Sequence, residues 1–323
     1  MKIRQFLFAA FIGLASIATS AFAASPQPSV KLMPLRIATG PGSGVFTKFF
    51  ANIQKVAPEL ELTELQTAGA SANLGVCLKL EAELCFMQAD YLWAAWKLEG
   101  REEVYENIRT VMPLYAGSIH MVATDEGIQK FSDFAGKRIG TFGGGAVTLR
   151  VMMAKASMNA TVTNFSKEER PEVSMMQALR DRKIDVAVGI GGEPVPWVAS
   201  INTPQGIQIP GAHLVRYDRW ADVKDLAVGQ EKGFYKLRTL DYPNMQGTAQ
   251  SLSVVSLLVS ARNWGPTAPE TLAIQALYRS ITTQLPKLKD RRVDQSFHPA
   301  WIEVSPLRDP TWPWYGNLKP AGK

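Results

Sequence analysis

The chain has 323 residues, 46% hydrophobic and 20% charged, too many for one ordinary core and suited to two domains of about 150 residues each. Its formal charge is +6, but Lys and Arg are dispersed, with no dense run interleaved with aromatics. That excludes a nucleic-acid footprint and leaves a mild attraction for anionic solutes.

At the start, Lys2 and Arg4 precede an apolar run from Phe6 to Ala18, and Ala21-Phe22-Ala23 fits a small-x-small cleavage site. These features predict a signal peptide over 1–23 and a mature chain from Ala24. The apolar run is shorter than the roughly 20 residues a bilayer span needs, and no later stretch of that length is free of charge or proline, so the mature protein is expected to be soluble. No Cys follows the cleavage site, so lipidation is not expected. Without Lys2 and Arg4, 33 basic residues face 29 acidic ones, a mature charge of +4.

Leu35 to Thr39 reads as a short strand, followed by the turn Gly40-Pro41-Gly42-Ser43-Gly44 and a helical pattern with Phe46, Phe49, Phe50, Ile53 and Val56 on one face. The unit recurs as a strand Leu60 to Leu65, a turn Thr67 to Ser71, a helix Ala72 to Lys79 and a strand Glu83 to Gln88. Asp90 is placed to cap a helix from Tyr91 to Glu99. A strand over Ile119 to Thr124 follows, then a turn at Phe131 to Ala135, a strand Arg138 to Phe142, the turn Gly143-Gly144-Gly145 and a helix Val147 to Ser157. A second lobe continues through a strand Thr161 to Phe165, a helix Glu172 to Arg182, a strand Ile184 to Ile190 and the turn Gly191-Gly192-Glu193-Pro194. Leu252 to Ser260 reads as a buried returning strand and Pro269 to Leu285 as a long helix. The tail carries Trp301, Trp312 and Trp314, expected to pack on the first lobe. The alternation predicts an α/β fold with a mostly parallel sheet.

Export would place Cys77 and Cys85 in an oxidising compartment. Two outcomes stay open, a disulfide closing a short loop or two buried thiols. No metal site is expected, because neither Cys has a His or Cys partner nearby.

Four turns follow strand ends and open helices, where open α/β sheets bind ligands. The first amides of a helix lack internal partners and its dipole is positive there, so a carboxylate or phosphate can be held without a charged side chain. A dinucleotide site at Gly40 to Gly44 lacks its third glycine, since Val45 or Thr47 stands there, and Gly143 to Gly145 lacks the Lys-Ser or Lys-Thr of a P-loop. His120, His213 and His298 lie in no catalytic motif. No catalytic residue and no cofactor is therefore assigned.

Six segments occur in one order: LRIATGPGSGVFTKFFANI, TAGASANL, CFMQADYLWAA, VMPLYAGSIHMVATDEGI, FSDFAGKRIGTFGGG and IDVAVGIGGEPVPWV. In this string the chain resembles the TAXI-type solute-binding subunits of TRAP transporters, from about Leu35 to Trp264. The resemblance implies a two-lobed type II periplasmic-binding-protein fold with a hinge and an interlobe cleft. It implies capture of a small organic anion, such as glutamate or a related acid, for a membrane permease. Carried over by position, ligand contacts would come from Gly40, Ser43, Gly44, Val45 and Phe46, from Ala70 and Ser71, from Gln88 and Asp90, and from Tyr115 near the hinge. The second lobe would add Gly143, Gly144, Gly145 and Ala146, with Gly191, Gly192 and Pro194.

Members of that family commonly have Gly-Thr-Tyr-Tyr where this chain has Gly44-Val45-Phe46-Thr47, Gly-Ser-Gly-Thr where it has Gly143-Gly144-Gly145-Ala146, and Ser where it has Gly191. The lost hydroxyls imply a less polar or bulkier acid than glutamate. The expected organisation is a signal peptide over 1–23, lobe one over 24–115, lobe two over 116–251, and a return to lobe one with the tail over 252–323. The hinge is expected near Leu114 to Ser118 and Gln250 to Val254. A periplasmic monomer serving a transporter is expected, with a sensor subunit presenting itself to a signalling receptor as the alternative.

Overall fold

The computed structural model describes residues 32–42, 44–227, 233–316, 318 and 319; the expected signal peptide and Ser43 lie outside the described residues. The chain forms β1 (Leu35–Ala38), α1 (Val45–Val56), β2 (Leu62–Leu65), α2 (Ala70–Leu78), β3 (Leu84–Gln88), α3 (Ala89–Lys97) and α4 (Glu102–Asn107). A long strand β4 (Arg109–Ala123) leads to β5 (Arg138–Thr141), α5 (Gly145–Lys155), β6 (Thr161–Asn164), α6 (Pro171–Arg180) and β7 (Val186–Gly191). Short elements follow, α7 (Pro196–Ala199), β8 (His213–Leu214), α8 (Trp220–Val223) and β9 (Tyr235–Asp241), and then the long β10 (Thr248–Ser260) and α9 (Pro269–Lys289).

The strands form one sheet in the order β2-β1-β3-β10-β4-β7-β5-β6, with β8 on β4 and β9 on β10. At one end β1 pairs in parallel with β2 and β3; at the other β5 pairs in parallel with β6 and β7. Between these two halves run β4 and β10, antiparallel to each other and to their flanking strands β7 and β3. β10 lies on β9 over Thr248–Val254 and on β3 over Ser256–Ser260, so it changes partner at Val255. Its ladder with β4 shifts register between Val255 and Leu257 and again between Leu258 and Val259. This is a mixed α/β arrangement, parallel at the two ends of the sheet and antiparallel at its centre.

The strand expected over Ile119 to Thr124 begins instead at Arg109. Pro113 and Gly117 break its sequence pattern, yet Pro113, which has no N–H to donate, sits opposite Leu257 beside a register shift, where the ladder is already interrupted. The helices α4, α7 and α8 are short, and β9 is largely exposed, so none carries a strong periodic signal. The helix α9 runs on through Pro286 to Lys289.

Trp301 stacks on Phe49 of α1 at 4.3 Å between ring centres, and Trp312 donates its indole N–H to the Ile108 carbonyl at 3.1 Å. Trp314 is half-buried and its backbone bridges Thr110 of β4. The tail thus packs on the half that contains α1 and β4. Cys77 at the end of α2 and Cys85 in β3 are joined by a disulfide, their Cα atoms 6.4 Å apart. The closed loop is short, and chain-entropy estimates give such a bridge about 2–3 kcal/mol.

Candidate functional site

Each parallel strand that points its carboxyl end toward the centre delivers a turn, and these turns converge. From the first half come Gly40 and Pro41 after β1, Ala68 and Gly69 after β2, and Gln88 at the end of β3. From the second come Phe142, Gly143 and Gly144 after β5, and Ile190 and Gly191 at the end of β7. Val45, Phe46 and Ala70 from the helix starts and Tyr115 of β4 complete the wall of a cavity of about 90 Å³. The two halves nearly touch beside it, since a Cβ on Gly69 would stand only 3.8 Å from the Gly143 Cα.

Three helices open onto this cavity, and all three have glycine at the N-cap: Gly44 for α1, Gly69 for α2 and Gly144 for α5. None has a side-chain cap, and none carries an acidic residue in its first turn. By contrast α3, α4, α6, α8 and α9 each place Asp or Glu there, the usual complement to a helix dipole. At these three starts the dipoles are left without one; in α5 the Gly145 and Val147 amides donate to the Phe142 and Gly144 carbonyls at 3.1 and 3.2 Å, so the free first-turn amides are chiefly those of α1 and α2. Gly69 is held at φ +103°, which a side chain would oppose. The turn before it is fixed by Thr67, whose hydroxyl donates to Asn73 Oδ1 at 2.6 Å and accepts from the Gly69 amide at 2.9 Å. At Gly144 the reason for glycine is space, because a Cβ would fall 2.7 Å from Gln88 Oε1.

Gln88 is only 6% exposed, and its Oε1 has no partner among the described residues. Burial raises the Tyr115 phenol far above its ordinary pKa, so it stays neutral. Among the described residues no Asp, Glu, Lys, Arg or His lines the cavity. The wall therefore offers amides, two neutral polar side chains and apolar surface from Phe46, Phe142 and Ile190.

Of the positions the sequence singled out, Gly40, Val45, Phe46, Ala70, Gln88, Tyr115, Gly143, Gly144 and Gly191 line the cavity. Gly44 does not; its amide donates to the Pro41 carbonyl at 2.7 Å. Ser71 is exposed, Gly145 and Ala146 lie inside the first turn of α5, and Pro194 is exposed. Gly192 packs behind Tyr115, where a Cβ would lie 3.3 Å from the ring. Missed by the sequence were Pro41, Ala68, Gly69, Phe142 and Ile190. All five stand in turns or at strand ends that were read; what was lacking was the direction each one faces.

Asp90 differs in kind. The helix begins one residue before it, with Gln88 at the N-cap, so Asp90 is not the cap. Its fully buried carboxylate turns away from the cavity, and Oδ2 accepts from Thr148 of α5 at 2.6 Å and from Tyr235 of β9 at 2.8 Å. Burial raises its pKa, against the effect of those two hydrogen bonds. Asp90 thus ties α3 of the first half to α5 and β9 of the second.

The histidines are likewise structural. The Tyr242 hydroxyl accepts from the Val195 amide at 2.9 Å and is hydrogen-bonded to His120 Nε2 at 2.8 Å; burial holds His120 at about 3. His298 is lowered by burial to about 4, and its Nδ1 accepts from the Ala300 amide. Among the described residues no group of three or more His, Cys, Asp or Glu could hold a metal ion.

The sequence profile described as the NMT1-like family matches residues 37–218, more than half of the chain. A solved protein from Bordetella bronchiseptica RB50 is similar at 15% identity and a TM-score of 0.50, over 83% of this chain and 77% of that one. A putative L-cystine ABC transporter protein from Listeria monocytogenes is similar at 12% identity and a TM-score of 0.50, over 85% of this chain and 99% of that one. No curated protein matches. At these identities the structural likeness speaks to the fold alone.

Proposed function

This chain belongs to the NMT1-like family, and from that premise we propose that it is an exported solute-binding protein that captures a small carboxylate-bearing solute between two hinged lobes. The observation that carries the proposal is the convergence of three helix starts, each with a glycine N-cap and no first-turn acid, on one cavity. A bound carboxylate would supply the acceptors and the negative charge that these helix ends lack. The Listeria relative, a putative L-cystine ABC transporter protein by its title, supports the same class of role.

In this proposal 24–115 and 252–323 form one lobe and 116–251 the other. The hinge lies where β4 passes Leu114 to Ser118 and β10 passes Gln250 to Val254, beside its change of partner at Val255. Capture involves no covalent step, because the described wall presents no ionisable base and no nucleophile aligned with one. Closure on the solute would shift the population toward the form a membrane permease accepts. The resemblance of the ordered motifs to those of TAXI subunits supports a TRAP-type transporter as that permease, with the protein working as a periplasmic monomer.

A thermal-shift panel tests the proposal with small carboxylic acids, matched amines and neutral sugars at equal concentration. At about 100 times its dissociation constant a ligand stabilises by about 2.7 kcal/mol, so at least one acid should raise Tm clearly. Stabilisation by the amines or sugars with none from any acid overturns the proposal.

A further inference from the structure

Anion capture, taken from the proposed function, leaves open what else the solute carries, and the cavity wall restricts that. A carboxylate is best placed at the starts of α1 and α2, whose first residues Val45, Phe46 and Ala70 lie on the wall. The start of α5 is already partly satisfied, because the Gly145 amide donates to the Phe142 carbonyl at 3.1 Å and the Gly143 amide to Ser166 Oγ at 2.8 Å. Opposite stands Gln88 Oε1, a buried acceptor with no donor among the described residues. In a dry site an unmet acceptor is costly, so a fitting solute brings it an N–H or O–H.

Whether that donor is charged follows from counting acceptors. An ammonium group has three N–H bonds to satisfy and a full charge to neutralise, whereas a hydroxyl needs one acceptor. The helix starts supply donors, and the described lining side chains supply acceptors only at Gln88 and Tyr115. The nearest acid in sequence, Asp90, spends Oδ2 on Thr148 and Tyr235 and faces away from the cavity. Among the described residues no acidic side chain lines the wall. Helix starts also repel a cation. Space sets the distance between the groups: about 90 Å³ is less than the ~150 Å³ of a cavity that accepts benzene, so the acid is short and its hydroxyl lies within a carbon or two of the carboxylate.

We propose that the solute is a short hydroxy acid, its carboxylate on the amides of α1 and α2 and its hydroxyl donating to Gln88, and that the site rejects the matching amino acid. Gln88 is thereby the residue that sets specificity.

The test is calorimetric titration of the full mature protein at neutral pH with three-carbon acids that differ in one group: propionate, lactate, 3-hydroxypropionate and alanine. The better hydroxy acid is expected to bind about tenfold more tightly than propionate and at least ~100-fold more tightly than alanine. Gln88→Met, which keeps the length and loses the acceptor, should bring hydroxy acid and propionate to within about twofold. Gln88→Glu, which supplies a counter-charge, should raise alanine binding relative to lactate. Alanine binding within about threefold of lactate in the wild type overturns the inference but leaves anion capture standing. Equal binding of propionate and both hydroxy acids removes the role given to Gln88. Failure of every acid in the set and of its four- and five-carbon homologues overturns the carboxylate pole itself, and with it the proposed function. The wild-type panel decides these points even if a variant does not fold.

Discussion

The wall of the cavity and the rear of the two crossing strands are built from opposite materials. At the rear, Arg238 of β9 donates to Glu193 at 2.8 Å and to Glu303 at 2.9 Å. Glu193 also accepts from the Ser118 hydroxyl, and Glu303 accepts from the Ala116 amide at 3.2 Å. Arg308 donates to the Leu114 and Glu303 carbonyls at 3.2 and 2.6 Å. Arg238, Glu303 and Arg308 border a larger cavity of about 390 Å³, but there Arg238 is answered by Glu193 and Glu303, and Arg308 by two backbone carbonyls. At the front the cavity is smaller and its described wall is uncharged, and among the described residues Gln88 Oε1 and the starts of α1 and α2 are left unanswered. Unmet polar groups rather than volume mark the place for a solute.

The largest break in that contrast should come from filling the front. Gly144→Val puts a branched side chain onto Gln88, and since Gly144 already has right-handed helical φ of −63°, the effect is one of space rather than backbone strain. Acid binding by calorimetry should fall about 100-fold or more, with a loss of about 1–3 kcal/mol in the stability of the unliganded protein from the overpacking. Undiminished binding would place the solute elsewhere.

Asp90, which lies between the two regions, should give the next largest effect, on stability. Asp90→Ala leaves the hydroxyls of Thr148 and Tyr235 without their acceptor and should cost about 2 kcal/mol in denaturant unfolding. Asp90→Asn keeps an acceptor but cannot ionise. Because burial raises the native pKa of Asp90 above its unfolded value, the native chain retains a proton that the unfolded chain has already released. Its stabilising effect is complete below the ordinary carboxylate range and is lost as pH rises through the raised value. The Tm of the wild type should therefore fall relative to Asp90→Asn as pH rises above the ordinary carboxylate range of about 4. Parallel curves would mean that Asp90 titrates alike in both states.

The smallest effect is expected at the rear. The side chains of Arg238, Glu193 and Glu303 are 36%, 21% and 21% exposed, so solvent screens the pairs. Arg238→Ala should cost roughly 1 kcal/mol at low salt and less at high salt. Acid affinity should move by less than about threefold, as expected for a site remote from the solute. A loss of binding as large as that of Gly144→Val would erase the distinction between front and rear.

Much of the front was legible because its chemistry is local. A glycine-rich turn between a strand and a helix start announces free amides wherever it occurs, so Gly40, Gly143, Gly144 and Gly191 could be read without a fold. Phe142 and Ile190 could be read only as strand ends, because nothing in the sequence says which face of a strand looks into a cleft. Asp90 was legible as a residue at a helix start but not as a tie, since Thr148 and Tyr235 lie 58 and 145 residues away along the chain. The rear was not legible at all, because Glu193, Arg238 and Glu303 come from three distant segments.

The sequence by itself determined the alternation of strands and helices, the positions of the turns that expose amides and the family string that orders them, because each depends on neighbours a few residues apart. The tertiary structure decided that Cys77 and Cys85 are bridged, that β4 and β10 run through both halves, and that Gln88 faces the cavity while Asp90, two residues on, faces away. Those outcomes rest on pairing between strands far apart in the chain, and the register of such pairing, not local preference, sets which side chains meet.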